Sequence, residues 1–193
     1  QAIPGILVMF VLSILTTSGA VLLFTDRRQG LLRRLAYTPI SRQAIVLGKW
    51  TGRMGVGIVQ IGFGMLAGTV LFHMDWGANL WMVIVLLLAY AAVTATLGIL
   101  LGSLARSEGQ AVAIGVVATN ILAALGGCWW PIEITPNWMQ KMQLFLPTGW
   151  AMDGLHQLVS FGAAPTAVLP HVLGMVACSI VLFVLASRFF RFE

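Results

Sequence analysis

The chain has 193 residues, of which 59% are hydrophobic and only 9% carry a charge. About a quarter of the residues of a soluble domain are charged, so this composition excludes an ordinary soluble protein and indicates one that faces lipid. The formal net charge is +5. We attribute the basic residues to orientation in the membrane and contact with anionic headgroups, and we expect no nucleic acid partner.

Five apolar stretches are long enough to cross a bilayer as helices. They fall at about residues 3–24, 50–72, 80–104, 111–129 and 165–187. The sequence therefore predicts a single all-α integral membrane domain. Glycines spaced four residues apart recur in these stretches, and such spacing lets helix backbones approach closely in lipid. The pairs are Gly48 and Gly52, Gly64 and Gly68, and Gly98 and Gly102.

The basic residues concentrate between the first two spans. Seven of the eleven lysines and arginines lie within residues 26–53. Wound as a helix, residues 24–37 place mostly leucines on one face and mostly arginines on the other, which is typical of an amphipathic helix at the membrane surface. Thr38 and Pro39 should end this helix, because the residue before a proline avoids helical backbone angles. Ser41 is a good cap for the helix that follows.

The charge distribution also predicts an orientation. If the chain begins outside and ends inside, ten of the eleven basic residues fall on the inner side and only Lys141 falls on the outer side. Basic residues in short loops favour the cytoplasmic side. We therefore expect the N-terminal end of this chain outside and the C-terminus in the cytoplasm. Because the chain opens outside and without an initiator methionine, we expect at least one further span upstream.

The segment of about residues 130–164 differs from the spans, because its apolar pieces are too short to cross and are interrupted by prolines. We interpret it as two short helices, near residues 138–146 and 149–161, that lie at or dip into the outer interface. Asp153 and His156 are one helical turn apart and are candidates for an acid–base pair or half a metal site. Since no third ligand is near in the sequence, ordinary surface residues are the preferred interpretation.

Polar residues inside the spans are few. Thr119 and Asn120 lie near the middle of the fourth span. An asparagine in the membrane usually bonds a neighbouring helix, and a place in a transport pathway is the alternative. The dipeptide formed by Gly48 and Lys49 lacks the other residues of a phosphate-binding loop, so we expect no ATP site of that kind in this chain.

Short motifs follow one another along the chain in a characteristic order. In the basic region they comprise Asp26, Arg27, Gly30, Arg33, Arg34, Leu35, Thr38, Pro39 and Lys49. Further along they comprise residues 97–106, Pro131, Glu133, Pro136, Trp138 and Pro147. Together these motifs resemble the type-2 permeases of ATP-binding-cassette exporters over essentially the whole chain. Leu31 departs from the family's usual threonine, and Arg28 departs from a common second acidic residue.

The resemblance implies a permease subunit of the plasma membrane, which in a bacterium is the inner membrane. Such a subunit dimerises with an identical or related copy and pairs with a separate ATPase that binds ATP and magnesium. It moves an amphipathic, drug-like or lipid-like compound outward, and the chain itself would bind no cofactor and catalyse no reaction.

The resemblance also assigns roles to segments of the chain. Residues 25–49 would be the cytoplasmic coupling region, with a coupling helix at residues 26–37 that rests against the ATPase. The motif residues of the basic region would make this contact. Residues 130–164 would form a re-entrant outer gate, and Thr119 and Asn120 are the candidates for the pathway. The gate residues are Trp130, Pro131, Glu133, Pro136 and Trp138.

Two other classes of function remain as alternatives. A membrane-embedded, lipid-modifying enzyme would act in detergent without an ATPase, and the lack of clustered acids and histidines in the sequence argues against it. A non-transporting assembly subunit would show no dependence on nucleotide. The arginines of the basic region also have an alternative role, which is to fix the topology and bind anionic lipid.

Overall fold

The computed structural model of the chain describes residues 2–37, 39–131 and 134–189. Within these ranges the regular secondary structure is helical and includes no strand. Five of the helices are long and apolar enough to cross a membrane. The predicted all-α integral membrane fold with five spans is therefore confirmed.

The helices are numbered α1 to α8 in chain order. They are α1 (Ala2–Ser13, continued by Ile14–Ser18 and Gly19–Arg28), α2 (Leu31–Ala36), α3 (Arg42–Phe72), α4 (Leu80–Leu104), α5 (Glu108–Leu125), α6 (Asn137–Gln143), α7 (Pro147–Leu155, continued by His156–Ser160) and α8 (Pro165–Phe189). The spans are α1, α3, α4, α5 and α8. The helix of the second span begins at Arg42, directly after the predicted cap Ser41 and eight residues before the apolar stretch that starts near residue 50. It begins there because the Ser41 hydroxyl accepts a hydrogen bond from the Ala44 amide at 3.2 Å and caps the helix.

The amphipathic helix expected over residues 24–37 is divided in the structure, so the expectation of one continuous helix was wrong. The first helix continues to Arg28, and α2 begins only at Leu31. Between them Gly30 has a φ of +71°, a left-handed angle that glycine adopts readily and that interrupts a helix. The helical pattern of the side chains cannot reveal such a break. As a result α2 is a separate helix of six residues.

The central helix of the bundle is α4, which packs against α1, α3, α5, α7 and α8. Close approach of α1 depends on Gly98, since a Cβ there would lie 2.5 Å from the Leu15 carbonyl oxygen. At Gly102 a Cβ would lie 2.8 Å from the Ala20 carbonyl oxygen. These two glycines therefore have the packing role that their spacing predicts.

The glycines of α3 divide into two groups. Gly64 packs against the Leu7 side chain, and a Cβ on Gly68 would lie 2.8 Å from the Trp76 ring, so this pair also serves packing. Around Gly48 and Gly52 the described residues place no atom within 4 Å of the position of a Cβ, apart from the neighbouring backbone of α3 itself. The packing role predicted from their spacing is therefore not realised within this chain.

The segment between α5 and α8 folds back onto the bundle. The two short helices there, α6 and α7, lie close to the expected ranges. Most of α7 is buried, and its Thr148 hydroxyl donates a hydrogen bond of 2.9 Å to the Leu122 carbonyl of α5. The Trp150 indole donates to the Leu144 carbonyl at 2.7 Å. The Thr148 bond therefore ties α7 to a span, and the Trp150 bond ties α7 to the end of α6.

Adding one methyl group at Gly98 should destabilise the protein. The new carbon of Gly98→Ala would lie 2.5 Å from the Leu15 carbonyl oxygen, so α1 and α4 must separate. We expect a loss of about 1–3 kcal/mol, measured as a lower Tm in mild detergent. Gly62→Ala is the matched control, because Gly62 has open space around it and alanine favours a helix by roughly 1 kcal/mol. Equal Tm values for the two variants would contradict this account of the packing.

Candidate functional site

We call the end of the bundle where α1 ends and α3 begins the basic end, and the opposite end, with α6 and α7, the tryptophan end. The two turns at the basic end are the region of Gly30 between α1 and α3 and the short connection from α4 to α5. The last turn of α8 also lies there, with Arg188. The basic region between the first two spans therefore lies on the same end surface of the bundle as the connection from α4 to α5 and the last turn of α8.

Asp26 and Lys49 form an ion pair that joins the last turns of α1 to the beginning of α3. Their side chains are 10% and 22% exposed. A charge withdrawn from water to this extent is costly unless an opposite charge compensates it. The pair therefore fixes the position of α1 relative to α3 at the basic end.

The two residues after Asp26 contact the other spans. The Arg27 guanidinium donates a hydrogen bond of 3.2 Å to the Ala105 carbonyl, just beyond the end of α4. A cation at this position also interacts favourably with the helix dipole. Arg28 forms a largely exposed ion pair of 3.7 Å with Glu108, the first residue of α5. Three consecutive side chains thus link the end of α1 to α3, α4 and α5.

The short helix α2 is anchored on one side only. Leu32 is fully buried among Leu23, Ile45 and other apolar residues of the bundle, and Leu35 packs partly against the same cluster. The opposite side of α2 and the segment after it remain uncovered. Its exposed residues are Leu31, Arg34, Tyr37, Pro39 and Ile40, and Tyr37 is 93% exposed. We call these five residues the uncovered face of α2.

The structure thus brings together some of the residues that were predicted to contact the ATPase. Asp26, Arg27 and Lys49 lie in one contact network, and Gly30 forms the turn before α2. Arg34 and Pro39 lie on the uncovered face of α2, whereas Leu35 is half-buried beneath it. Two members, Thr38 and the side chain of Arg33, fall outside the described residues.

The predicted gate residues lie at the tryptophan end. Trp130 packs edge-to-face against Trp129, with ring centroids 5.5 Å apart. The Trp129 indole in turn contacts the Met9 sulfur of α1 at 3.0 Å. Pro131, Pro136 and Trp138 are exposed. Glu133 falls outside the described residues.

The two candidates for the pathway are not brought together. Thr119 is buried, whereas the neighbouring Asn120 is exposed on another side of α5. The Asn120 side chain donates a hydrogen bond of 2.8 Å to the Val116 carbonyl of its own helix. Among the described residues, the expected bond from this asparagine to a neighbouring helix is therefore not formed.

Asp153 pairs with a different histidine from the one its spacing suggested. Its carboxylate lies 2.8 Å from the His171 ring nitrogen of α8 and accepts a 2.7 Å hydrogen bond from Gln157. His156 instead stacks on Phe161. Helical spacing predicts contacts within one helix but cannot predict this contact between two helices. In the part of the chain that the structure describes, no three or more Asp, Glu, His or Cys side chains group as metal ligands.

Arg53 is the residue whose role the sequence reasoning missed. From within α3 it donates hydrogen bonds of 2.8 and 2.9 Å to the hydroxyl and the carbonyl of Ser18. Ser18 ends the π-helical segment Ile14–Ser18 of α1, and such segments are frequent at functional sites. The signal in the sequence was an arginine one turn beyond Lys49, directly before a long uncharged stretch.

Breaking the pair of Asp26 and Lys49 should cost stability. Asp26→Asn leaves the mostly buried Lys49 charge without its partner, and we expect a loss of roughly 2 kcal/mol in the free energy of unfolding in detergent. Lys49→Gln added to Asp26→Asn should recover much of that loss, because no unpaired charge remains.

The matched control for this experiment is Arg28→Gln, which removes the exposed pair with Glu108. Exposed pairs contribute at most about 1 kcal/mol, so this variant should unfold almost as the unchanged protein does. A larger loss for Arg28→Gln than for Asp26→Asn would contradict the importance given to the buried pair.

Comparison with known proteins adds independent evidence. The family model described as an ABC-2 family transporter protein matches residues 1–188. The linearmycin resistance permease protein LnrN of Bacillus subtilis is 31% identical over 86% of this chain and 42% of its own length. The putative transport permease YvfS of the same organism is 28% identical over 86% of this chain and 66% of its own length.

A third relative comes from another bacterium. The inner membrane transport permease YhhJ of Escherichia coli is 27% identical over 93% of this chain and 48% of its own length. This chain thus spans between about two fifths and two thirds of these relatives. No solved structure matches it. The resemblance to type-2 permeases is confirmed, and with its five apolar spans the chain belongs to the ABC-2 family of membrane transporter proteins.

Proposed function

We propose that this chain is the permease subunit of an ATP-binding-cassette exporter, driven by a separate ATPase subunit that binds ATP and magnesium. A second copy, identical or related, completes the transport pathway. The observation that carries the proposal is the uncovered face of α2. It is an exposed apolar and basic surface on a helix that is anchored to the spans behind it.

The composition of this face fits a protein partner. Leu31, Tyr37 and Ile40 are exposed apolar or aromatic residues beside the cationic Arg34. Tyrosine and arginine are frequent among the residues that dominate binding energy, and exposed apolar patches mark interaction sites. An ATPase that docks here would cover these side chains.

The anchorage behind α2 offers a mechanical route into the membrane. A displacement of α2 acts on the bundle through Leu32, and the nearby pair of Asp26 and Lys49 holds α1 and α3 together. Arg27 extends the same network to the end of α4. Movement of the ATPase at the basic end would therefore shift several spans together rather than one loop.

The basic end faces the cytoplasm in this proposal. Arg27, Arg28, Arg34 and Arg42 lie at this end of the described structure, and basic residues in short connections favour the cytoplasmic side. An ATPase in the cytoplasm would then meet α2 directly. The tryptophan end would lie outside.

The tryptophan end would form the outer gate. There α7, its π-helical continuation and the turn at Cys128 form a short, interrupted backbone that packs against α1, α4, α5 and α8. Such backbone is tolerated in a membrane only where protein or water surrounds it. The contact of Trp129 with Trp130 and with Met9 links this segment to α1, which is also the helix that leads to the basic end.

The proposed cargo is an amphipathic, drug-like or lipid-like compound that moves outward. One relative of this chain is a linearmycin resistance permease protein, and by analogy with it a compound harmful to the cell is a reasonable cargo. The exposed Asn120 lies on the uncovered side of α5 with Val116 and Val117, where a second copy or a cargo would meet it.

Changes to the uncovered face of α2 should separate ATP hydrolysis from transport. We expect the double variant Arg34→Glu with Tyr37→Ala to insert and fold normally, because both side chains are exposed. Copurification with the ATPase should fall at least about tenfold, which corresponds to a loss of about 1.4 kcal/mol in binding. Stimulation of ATP hydrolysis by cargo in nanodiscs should be lost as well.

Arg188→Glu is the matched control, since Arg188 is an exposed arginine of the same end but lies on α8. It should leave both measurements unchanged. Unchanged copurification and stimulation in the double variant would contradict the coupling role. Lipid-modifying activity of the purified chain without any ATPase would instead support the enzyme alternative.

A further inference from the structure

A groove with a volume of about 560 Å³ opens between α1 and α3 near the basic end. Lys49 and Arg53 line it from α3, and Ser18 and Leu22 line it from α1. A second groove of about 610 Å³ shares Gly52 and Val56 with the first. The two therefore form one continuous groove that runs from the basic end along the surface of α3.

The described residues at this groove carry more positive than negative charge. Asp26 forms its ion pair with Lys49 and also attracts Arg53 from a greater distance, while Arg53 donates its hydrogen bonds to the hydroxyl and carbonyl of Ser18. Among the described residues no carboxylate lies within ion-pair distance of Arg53, so the group of Asp26, Lys49 and Arg53 carries one net positive charge. A half-buried cation inside a span that shares its one counter-charge with a second cation is costly and indicates a functional site.

The deeper part of the groove is apolar. Beyond Arg53 it is lined by Val59 and Phe63 of α3 and by Ile14 of α1. Val59 and Phe63 are 72% and 68% exposed, so the groove opens on the outer surface of this bundle and not toward its centre. Gly52 and Gly55 give it depth, because no side chain fills the space in front of either glycine.

We propose that this groove binds an anionic phospholipid of the surrounding leaflet. The phosphate lies between Lys49 and Arg53, which are four residues and thus about 6 Å apart along α3. Long basic side chains can extend toward the headgroup level while their stems remain in apolar surroundings. One acyl chain follows Gly52, Val56 and Phe63. The cation at one end and the apolar floor beyond it match the two parts of such a lipid.

Binding of the lipid would depend neither on an ATPase nor on a cargo. The lipid site is therefore a property of this chain in addition to the proposed transport role. The phosphate would supply a second negative charge, so that Lys49 and Arg53 need not share Asp26. Because Arg53 also holds Ser18 at the end of the π-helical segment, the lipid would brace the contact between α1 and α3.

The test compares phosphatidylglycerol with phosphatidylcholine by native mass spectrometry of the purified chain in detergent. We expect phosphatidylglycerol to remain bound at lower concentrations than phosphatidylcholine. Arg53→Gln should weaken the binding of phosphatidylglycerol about fivefold. Arg53→Lys should restore most of the preference for phosphatidylglycerol over phosphatidylcholine. Gly52→Leu should abolish this preference, because the new side chain enters the groove and its Cβ has open space around it.

Matched controls distinguish binding in this groove from nonspecific attraction of anionic lipid to the basic end. Gly62→Leu adds the same side chain to open space on α3 outside the groove, and Arg188→Gln removes an exposed charge at the same end. Both should bind phosphatidylglycerol as the unchanged protein does. Equal binding of the two lipids, or an equal loss in Arg188→Gln and Arg53→Gln, would overturn the proposal. A change from dimer to monomer in Gly52→Leu with lipid binding unchanged would also overturn it, and would assign the groove to a second copy.

Discussion

The ion pair of Asp26 and Lys49 is the contact on which the basic end depends, because it binds the ends of two spans at a point where water is mostly excluded. A bilayer offers no solvation to a separated charge, so each partner requires the other in place. Arg27 bonds the end of α4 and Arg28 pairs with the beginning of α5, so both helices join the same contact network. The spans can therefore move together when a force acts on this network. The helix α2 lies directly beside the network, and its uncovered face can contact a partner.

Much of the fold follows from the sequence because lipid imposes simple rules. A span must be a long apolar helix, and the five spans were recognisable for that reason. The close approach at Gly98 and Gly102 was also readable from their spacing. The break at Gly30 was not, because a single left-handed residue leaves the helical pattern of its neighbours intact. The pairs of Asp153 with His171 and of Arg53 with Ser18 join separate helices, and only the packed bundle brings those residues together.

The two ends of the bundle differ in chemistry, and α1 connects them. At the tryptophan end its Met9 contacts Trp129, and at the basic end its Asp26 holds Lys49. Between these contacts the π-helical segment Ile14–Ser18 lies beside Gly98 of the central helix and receives the hydrogen bonds of Arg53. This arrangement makes α1 the element through which the proposed coupling surface, lipid groove and outer gate would influence one another.

The central claim is that the basic end faces the cytoplasm, where an ATPase can reach α2. It is tested most directly by labelling single cysteines with a membrane-impermeant maleimide in intact cells. Tyr37→Cys and Trp138→Cys are introduced separately after Cys128 and Cys178 have been replaced by serine, and both positions are exposed at opposite ends of the bundle. If the basic end faces the cytoplasm, the cysteine at position 138 reacts in intact cells and the cysteine at position 37 reacts only after the membrane has been opened. Labelling of position 37 from outside would contradict this orientation.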